Sequence, residues 1–163
     1  MKKLLSYIGL LLSSIFISCE MPLKEYQGKE IIKLTYSTID FFGGNTTTYE
    51  FDFIENKSYK SKNNVFDDSY LVEDLATFTE EQEEIFMNKC YTYGLFSLKE
   101  LYEDKNVEDG GGWTLTITYI DNSKKESNGI NKSPNNVFDK CAYAFYDLCN
   151  EGVLRYIDMQ KSN

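Results

Sequence analysis

The 163-residue chain carries 26 acidic and 17 basic side chains, a formal charge of −9, and contains no histidine. An acidic chain lacks the basic stripe that binds phosphate backbones, which argues against nucleic acid as a partner. The lack of histidine excludes Ser-His-Asp and Cys-His catalysis, histidine acid–base chemistry and histidine-ligated metals.

The N-terminus has the organisation of an export signal. Lys2 and Lys3 precede an apolar stretch from Leu4 to Ile17. As a helix this stretch would span about 21 Å, too short for the roughly 30 Å hydrocarbon core of a bilayer. It ends in Phe16-Ile17-Ser18-Cys19, which resembles the lipobox of bacterial lipoproteins, with phenylalanine where the lipobox usually has an aliphatic residue. The resemblance implies cleavage before Cys19 and attachment of acyl chains such as palmitate to Cys19.

The chain is therefore expected to comprise a signal peptide at 1–18, a lipid-anchored tether at 19–29 and one globular domain at 30–163. Residues 1–18 hold two lysines and no acidic residue, so their removal leaves 145 residues with 15 basic and 26 acidic side chains, a formal charge of −11. This length fits one domain with a sizeable core. Because anionic lipids repel an acidic domain, the lipid would hold it in the cell envelope, outside the cytoplasm.

Three thiols remain after lipidation: Cys90, Cys141 and Cys149. Cys141 and Cys149 lie on one predicted helix with their backbones about 12 Å apart, too far for a disulfide. Either Cys90 is bridged to one of them or all three are free, and their positions on apolar stripes favour buried free thiols. Without histidine or a CxxC pair, we expect no metal site and no cofactor.

The first half of the domain predicts a β-hairpin. Apolar and polar residues alternate from Glu30 to Ile39 and from Tyr49 to Phe53, and Gly43-Gly44-Asn45 forms a turn between them. The polar stretch from Glu55 to Asn64 is compatible with a weaker third strand.

A helix is predicted after this region. Thr79 and Gln82 have capping-box spacing at its start, and Gly94 is a stop signal. Ser97 and Glu100 repeat the capping spacing and predict a second, short helical piece. The apolar face of the first helix would consist of Ile85, Phe86, Cys90 and Tyr93.

The second half predicts another hairpin and a final helix. Residues Trp113 to Ile120 alternate strictly, a turn follows at Asp121-Asn122-Ser123, and a partner strand runs from Lys124 to Gly129. The final helix should start with Ser133 as cap and Pro134 as first residue, and end near Gly152. Its buried face would consist of Val137, Phe138, Cys141, Phe145 and Leu148. The fold class is therefore α+β, an antiparallel sheet of about four to five strands packed on one face by two helices.

The segment from Asp109 to Ile117, with the triple glycine before Trp113, and the segment from Ser127 to Pro134 resemble a small uncharacterised domain of bacterial proteins. The resemblance implies an α+β fold and carries over no catalytic residue. Trp113, Gly129, Asn131 and Pro134 are its most specific positions, and they form either a structural turn or a recognition site. In the structural interpretation, Gly129 takes a backbone angle that other residues resist, and Asn131 bonds locally to hold the turn.

No motif indicates catalysis. Gly110-Gly111-Gly112 leads into a strand and not a helix, which does not fit a phosphate cradle, and paired acids such as Glu80-Glu81 are typical of a helix start. Aromatic residues are abundant, with 23 among the 145 that follow the signal. We therefore expect a non-enzymatic binding module that is held to a membrane through the lipid on Cys19 and meets a protein or glycan partner. A structural envelope protein and a hydrolase using paired carboxylates are the alternatives.

Overall fold

The computed structural model describes residues 25–40, 44–64, 66–67, 69–106 and 111–154, so Cys19 and the predicted signal lie outside the described residues. Within these ranges no helix is both long enough and apolar enough to cross a bilayer. The elements in chain order are β1 (Glu25–Tyr26), β2 (Lys29–Asp40), β3 (Asn45–Asp52), β4 (Lys57–Asn64), β5 (Ser69–Thr77), α1 (Glu80–Thr92), a 3-10 helix (Leu95–Ser97), β6 (Leu101–Glu103), β7 (Gly111–Tyr119), β8 (Lys124–Ile130) and α2 (Asn135–Cys149).

One sheet joins all of these strands in the order β5-β4-β3-β2-β7-β8-β6, and β1 pairs with the start of β2. Every pair is antiparallel except β6 with β8, which is parallel. The predicted α+β class with a mainly antiparallel sheet and two helices is confirmed. The predicted number of strands is too small, and the parallel pair was not expected.

The central strand β2 alternates as the sequence predicts. Leu34 and Tyr36 are buried, whereas Lys33, Thr35 and Ser37 are partly exposed on the other face. This period of two follows from the pleat, which points successive side chains to opposite sides of a sheet.

The neighbouring strands β3 and β7 keep the same alternation in register with β2. Tyr36 lies opposite Tyr49 on β3 and Leu115 on β7. Leu34 lies opposite Phe51 and Ile117 in the same way. Both predicted hairpins are therefore confirmed, and the pairing of β2 with β7 joins them into one buried face.

Both helices cover that buried face through aromatic contacts. Phe51 on β3 contacts Phe86 on α1, with ring centroids 6.0 Å apart, and Phe145 on α2, at 5.2 Å. Phe86 and Phe145 meet edge to face at 5.0 Å. Burial of each phenylalanine contributes roughly 1.5–3 kcal/mol to the free energy of folding. This cluster therefore stabilises the packing of both helices on the sheet.

Helix α1 starts and ends as predicted. Thr79 and Gln82 form a capping box with backbone–side-chain bonds of 3.2 and 2.9 Å, and Gly94 after the helix has a left-handed φ of 83°. The predicted buried face is partly wrong, because Ile85 and Tyr93 are exposed. Four residues at helical spacing face the core: Glu83, Phe86, Met87 and Cys90. Hydropathy cannot identify the first of them as buried because its side chain is a carboxylate.

Helix α2 also differs from the prediction at its ends. It begins at Asn135, so Pro134 is the N-cap and not the first helical residue. It ends at Cys149, before the expected Gly152, because Asn150 takes a left-handed φ of 57° and donates its N–H to the carbonyl of Tyr146. Its predicted buried side chains are confirmed except for Val137, which is only partly buried.

Three strands were not predicted: β1, β5 and β6. β1 (Glu25–Tyr26) lies within the segment 19–29 that was expected to be a tether, and it pairs with Lys29 and Glu30 of β2. β5 shows no alternation because the side chains of Ser69–Asp74 are exposed on both of its faces. β6 lies where the capping spacing of Ser97 and Glu100 predicted a helix, and that prediction is wrong. Only three residues long, β6 is held by its parallel pairing with β8, a tertiary contact that local spacing does not encode.

Cys90, Cys141 and Cys149 are buried and unbridged, as the apolar stripes predicted. Cys90 on α1 and Cys141 on α2 are within side-chain hydrogen-bonding contact. Burial raises the pKa of the Cys90 thiol well above its usual value, and that contact with Cys141 adds to the effect. Burial also raises the pKa of Cys149, to about 11. The thiols of Cys90 and Cys149 therefore remain protonated and unreactive at neutral pH.

We predict three free thiols in the full chain with Cys19→Ala, exported to an oxidising compartment and denatured without reductant. All three sulfurs are buried, and the raised pKa values of Cys90 and Cys149 leave oxidants little thiolate to attack. Titration with a chromogenic disulfide reagent measures the number, and the same protein after full reduction is the control. A count of one before reduction and three after it would contradict the prediction and show one disulfide, and peptide mapping would then identify the bridged pair.

Candidate functional site

The structure places Trp113 inside the domain and not on a recognition surface. Its side chain is 3% exposed, and its indole Nε1 donates to the Lys132 carbonyl at 2.8 Å. It packs edge to face on Phe138, with ring centroids 4.9 Å apart. Gly129 lies under this ring, and a Cβ at that position would overlap the indole. Gly129 lies in β8 without a positive φ, so the prediction of an unusual backbone angle there is wrong. A glycine is needed because the indole occupies the space of a side chain.

The turn after β8 is held by the backbone of Asn131. Asn131 has a left-handed φ of 55°, and its N–H donates to the Gly111 carbonyl at 3.0 Å. The prediction that Ser133 caps α2 is wrong, because its side chain contacts the side chain of Asn135 instead. Pro134 ends this turn with its carbonyl accepting from the N–H of Phe138. The contacts of these residues are internal to the fold.

The surface without a helix is the other face of the sheet, here called the open face. It is formed by the partly exposed side chains of β2, β3, β4, β7 and β8 that alternate with the core residues. Hydroxyl and amide side chains form ladders across it: Ser37 and Thr48 hydrogen-bond at 2.9 Å, and Thr114 donates to Asn128 at 2.8 Å. No described helix packs on this face.

A groove of about 380 Å³ crosses the open face at β3, β4 and β5. Its apolar surface comes from Tyr59, Tyr70 and Val72. Its charged wall comes from one lysine and three carboxylates: Lys33, Glu50, Asp52 and Glu55. Tyrosines beside charged groups offer both stacking area and hydrogen bonds, the composition typical of recognition surfaces.

Lys33 is the organising cation of the groove. Its Nζ donates to Glu50 Oε1 at 2.7 Å and lies 3.4 Å from Asp52 Oδ2. Partial burial by itself would lower the pKa of Lys33. The hydrogen bond and charge attraction to Glu50, in sum with the smaller contributions of Asp52, are stronger than this effect, so the pKa of Lys33 is raised. The lysine is therefore charged under physiological conditions and holds both acidic side chains in place.

Tyr59 is oriented by its own acidic neighbour. Its hydroxyl donates to Glu55 Oε2 at 3.0 Å. This hydrogen bond raises the pKa of the Tyr59 phenol, and slight burial and the nearby carboxylates of Asp74 and Asp52 add to the effect. The tyrosine is a neutral donor whose ring forms part of the groove.

Sequence reasoning did not find this groove. Lys33, Glu50 and Asp52 are the polar members of predicted alternating strands, which marks them only as exposed. Their convergence depends on the β2–β3 register, in which Lys33 lies opposite Asp52. In the portion of the chain that the structure describes, no three His, Cys, Asp or Glu residues are close enough to hold a metal.

We predict that Gly129→Ala lowers the free energy of unfolding by about 1–3 kcal/mol, because the added methyl must displace the Trp113 ring. Urea denaturation followed by tryptophan fluorescence measures the change. Gly152→Ala is the matched control, since a Cβ there meets no atom within 4 Å. Equal stability of the two variants would contradict the packing role of Gly129.

The chain matches no known protein family and no characterised protein in sequence.

Proposed function

We propose that the chain is a bacterial lipoprotein, anchored through lipid on Cys19, whose domain is a non-enzymatic binding module of the cell envelope. The partner is a protein or glycan that docks on the open face. The anchor is supported by the charged N-terminus, the short apolar stretch and the Ser18-Cys19 junction. The acidic charge of the chain disfavours nucleic acid as that partner.

The observation that carries the binding proposal is the uncovered open face with its groove. Both helices pack on the opposite face, and among the described residues no helix covers the polar ladders and the tyrosines of the open face. Tyr59 and Tyr70 supply contact area at low cost in side-chain entropy. The ion pairs of Lys33 keep the groove preorganised, which reduces the ordering cost of binding.

The groove geometry favours binding over hydrolysis. A hydrolase with two carboxylates needs them on opposite sides of a scissile bond. The ammonium of Lys33 lies between Glu50 and Asp52, within 2.7 and 3.4 Å of their oxygens, and occupies that space. A purely structural envelope role is the remaining alternative, and it predicts no partner on the open face.

For the anchor, we predict that the mature chain begins at lipidated Cys19 and fractionates with membranes. Intact-protein and peptide mass spectrometry of the purified chain identify its first residue and the added acyl mass. Cys19→Ala should accumulate as uncleaved precursor without lipid, whereas Cys149→Ala, which changes a buried thiol, should still be lipidated. An unmodified N-terminus at another residue would contradict the anchor.

For the binding face, we predict site-specific photo-crosslinking in cells. A p-benzoylphenylalanine in place of Thr116 or Tyr59 presents a reactive ketone on the open face, and adducts are detected as discrete mass shifts. The control places the same group at Tyr146, which is 51% exposed on the helical side. Adducts from the open face but not from Tyr146 are expected. No adduct at either open-face position would favour the structural role.

A further inference from the structure

Strand β5 is a long exposed edge of the sheet. It ends the strand order, and among the described residues only β4 pairs with it. The opposite edge is β6, only three residues long and therefore protected by its shortness. β5 has nine residues and contains no proline or lysine, two of the residues that natural proteins use to block such edges.

The first half of β5 extends beyond the cover of the helices. Leu75 and Ala76 pack against the core, but Tyr70, Leu71 and Val72 are 70%, 55% and 51% exposed. Tyr70 and Val72 lie on the open face, where they line the groove, and Leu71 lies on the other face of the strand. A strand added at this edge would therefore contact apolar side chains on both faces.

The next two residues give the edge its charge. Glu73 and Asp74 are exposed and follow Val72 directly. Lys60, opposite Glu73 on β4, forms its ion pair with Glu151 at 3.0 Å and is attracted more weakly by Glu73. Asp74 lies opposite Tyr59, whose hydroxyl donates to Glu55. The edge is thus apolar followed by acidic, in a chain whose formal charge is −9.

We propose that β5 is a docking edge that binds an extended basic segment of a partner protein as an additional strand of the sheet. Its backbone amides and carbonyls pair with the outer edge of β5, apolar side chains contact Tyr70–Val72, and a lysine or arginine lies opposite Glu73 or Asp74. A second copy of the chain is disfavoured as the occupant, because it would bring two acidic chains together. This inference rests on the proposed binding function and names the partner chemistry.

The probe is a fluorescein-labelled heptapeptide of alternating valine and lysine, titrated into the full chain in detergent and followed by fluorescence anisotropy. Saturable binding is expected, together with slower hydrogen exchange of the amides of residues 69–74. Two control peptides have N-methylated alternate amides or glutamate in place of lysine, and neither should bind. Equal binding of the N-methylated peptide would overturn the proposal, because strand pairing requires those N–H groups.

The variant Glu73→Lys/Asp74→Lys should bind the lysine peptide about tenfold more weakly and gain binding of the glutamate peptide. Glu84→Lys/Glu100→Lys is the matched control, because it changes two exposed acids elsewhere and gives the same net charge. If both variants lose binding equally, the peptide is attracted by net charge alone and the docking edge is refuted. Thermal melts check that each variant is folded.

Two other outcomes would identify a different occupant and overturn the proposal. A dimer in light scattering that Leu71→Ser dissociates would show that a second copy covers the edge. Peptide binding that appears only in a chain ending at Leu154 would show that residues 155–163 compete for the edge. If the peptide does not bind but photo-crosslinking at Thr116 still gives adducts, the docking edge is refuted and the proposed binding module is not. The two results are separable because Thr116 lies on β7, away from β5.

Discussion

The pairing of β2 with β7 determines the rest of the fold. It joins a four-strand unit from the first half of the domain to a hairpin from the second half, and it aligns Leu34 with Ile117 and Tyr36 with Leu115. A shift of one residue would move every core side chain of one half to the open face. The buried face on which both helices pack and the polar open face on the other side of the sheet therefore depend on one register.

Much of the fold could be predicted because most strands have one wet and one buried face. The alternation indicated β2 and β7 to within about two residues of their ends, and it located β3 but missed its first four residues, Asn45–Thr48. The capping box indicated the start of α1. Alternation did not predict β5, because the first half of this strand is exposed on both faces. β6 forms only through its pairing with β8. The buried face of α1 includes Glu83, whose burial depends on tertiary packing and not on its hydropathy.

The candidate site shows a different limit of sequence reasoning. Trp113, Gly129 and Asn131 looked distinctive because they satisfy a demanding internal contact, in which an indole lies over a glycine and bonds to a turn carbonyl. The groove consists instead of ordinary alternating polar residues such as Lys33 and Glu50. Local sequence marks such residues as exposed, but the strand order decides which of them meet. Unusual residues thus indicated packing, whereas common residues formed the accessible site.

The β2–β7 pairing also has a consequence for the order of folding. Strands β2 to β5 can form from neighbouring hairpins, but their apolar face is closed only when β7 pairs with β2 and α2 packs on Phe51. Both events need residues from the last third of the chain. A high proportion of such distant contacts slows folding and prolongs exposure of apolar surface. Part of the aromatic core therefore stays uncovered in the nascent domain until its final helix is complete.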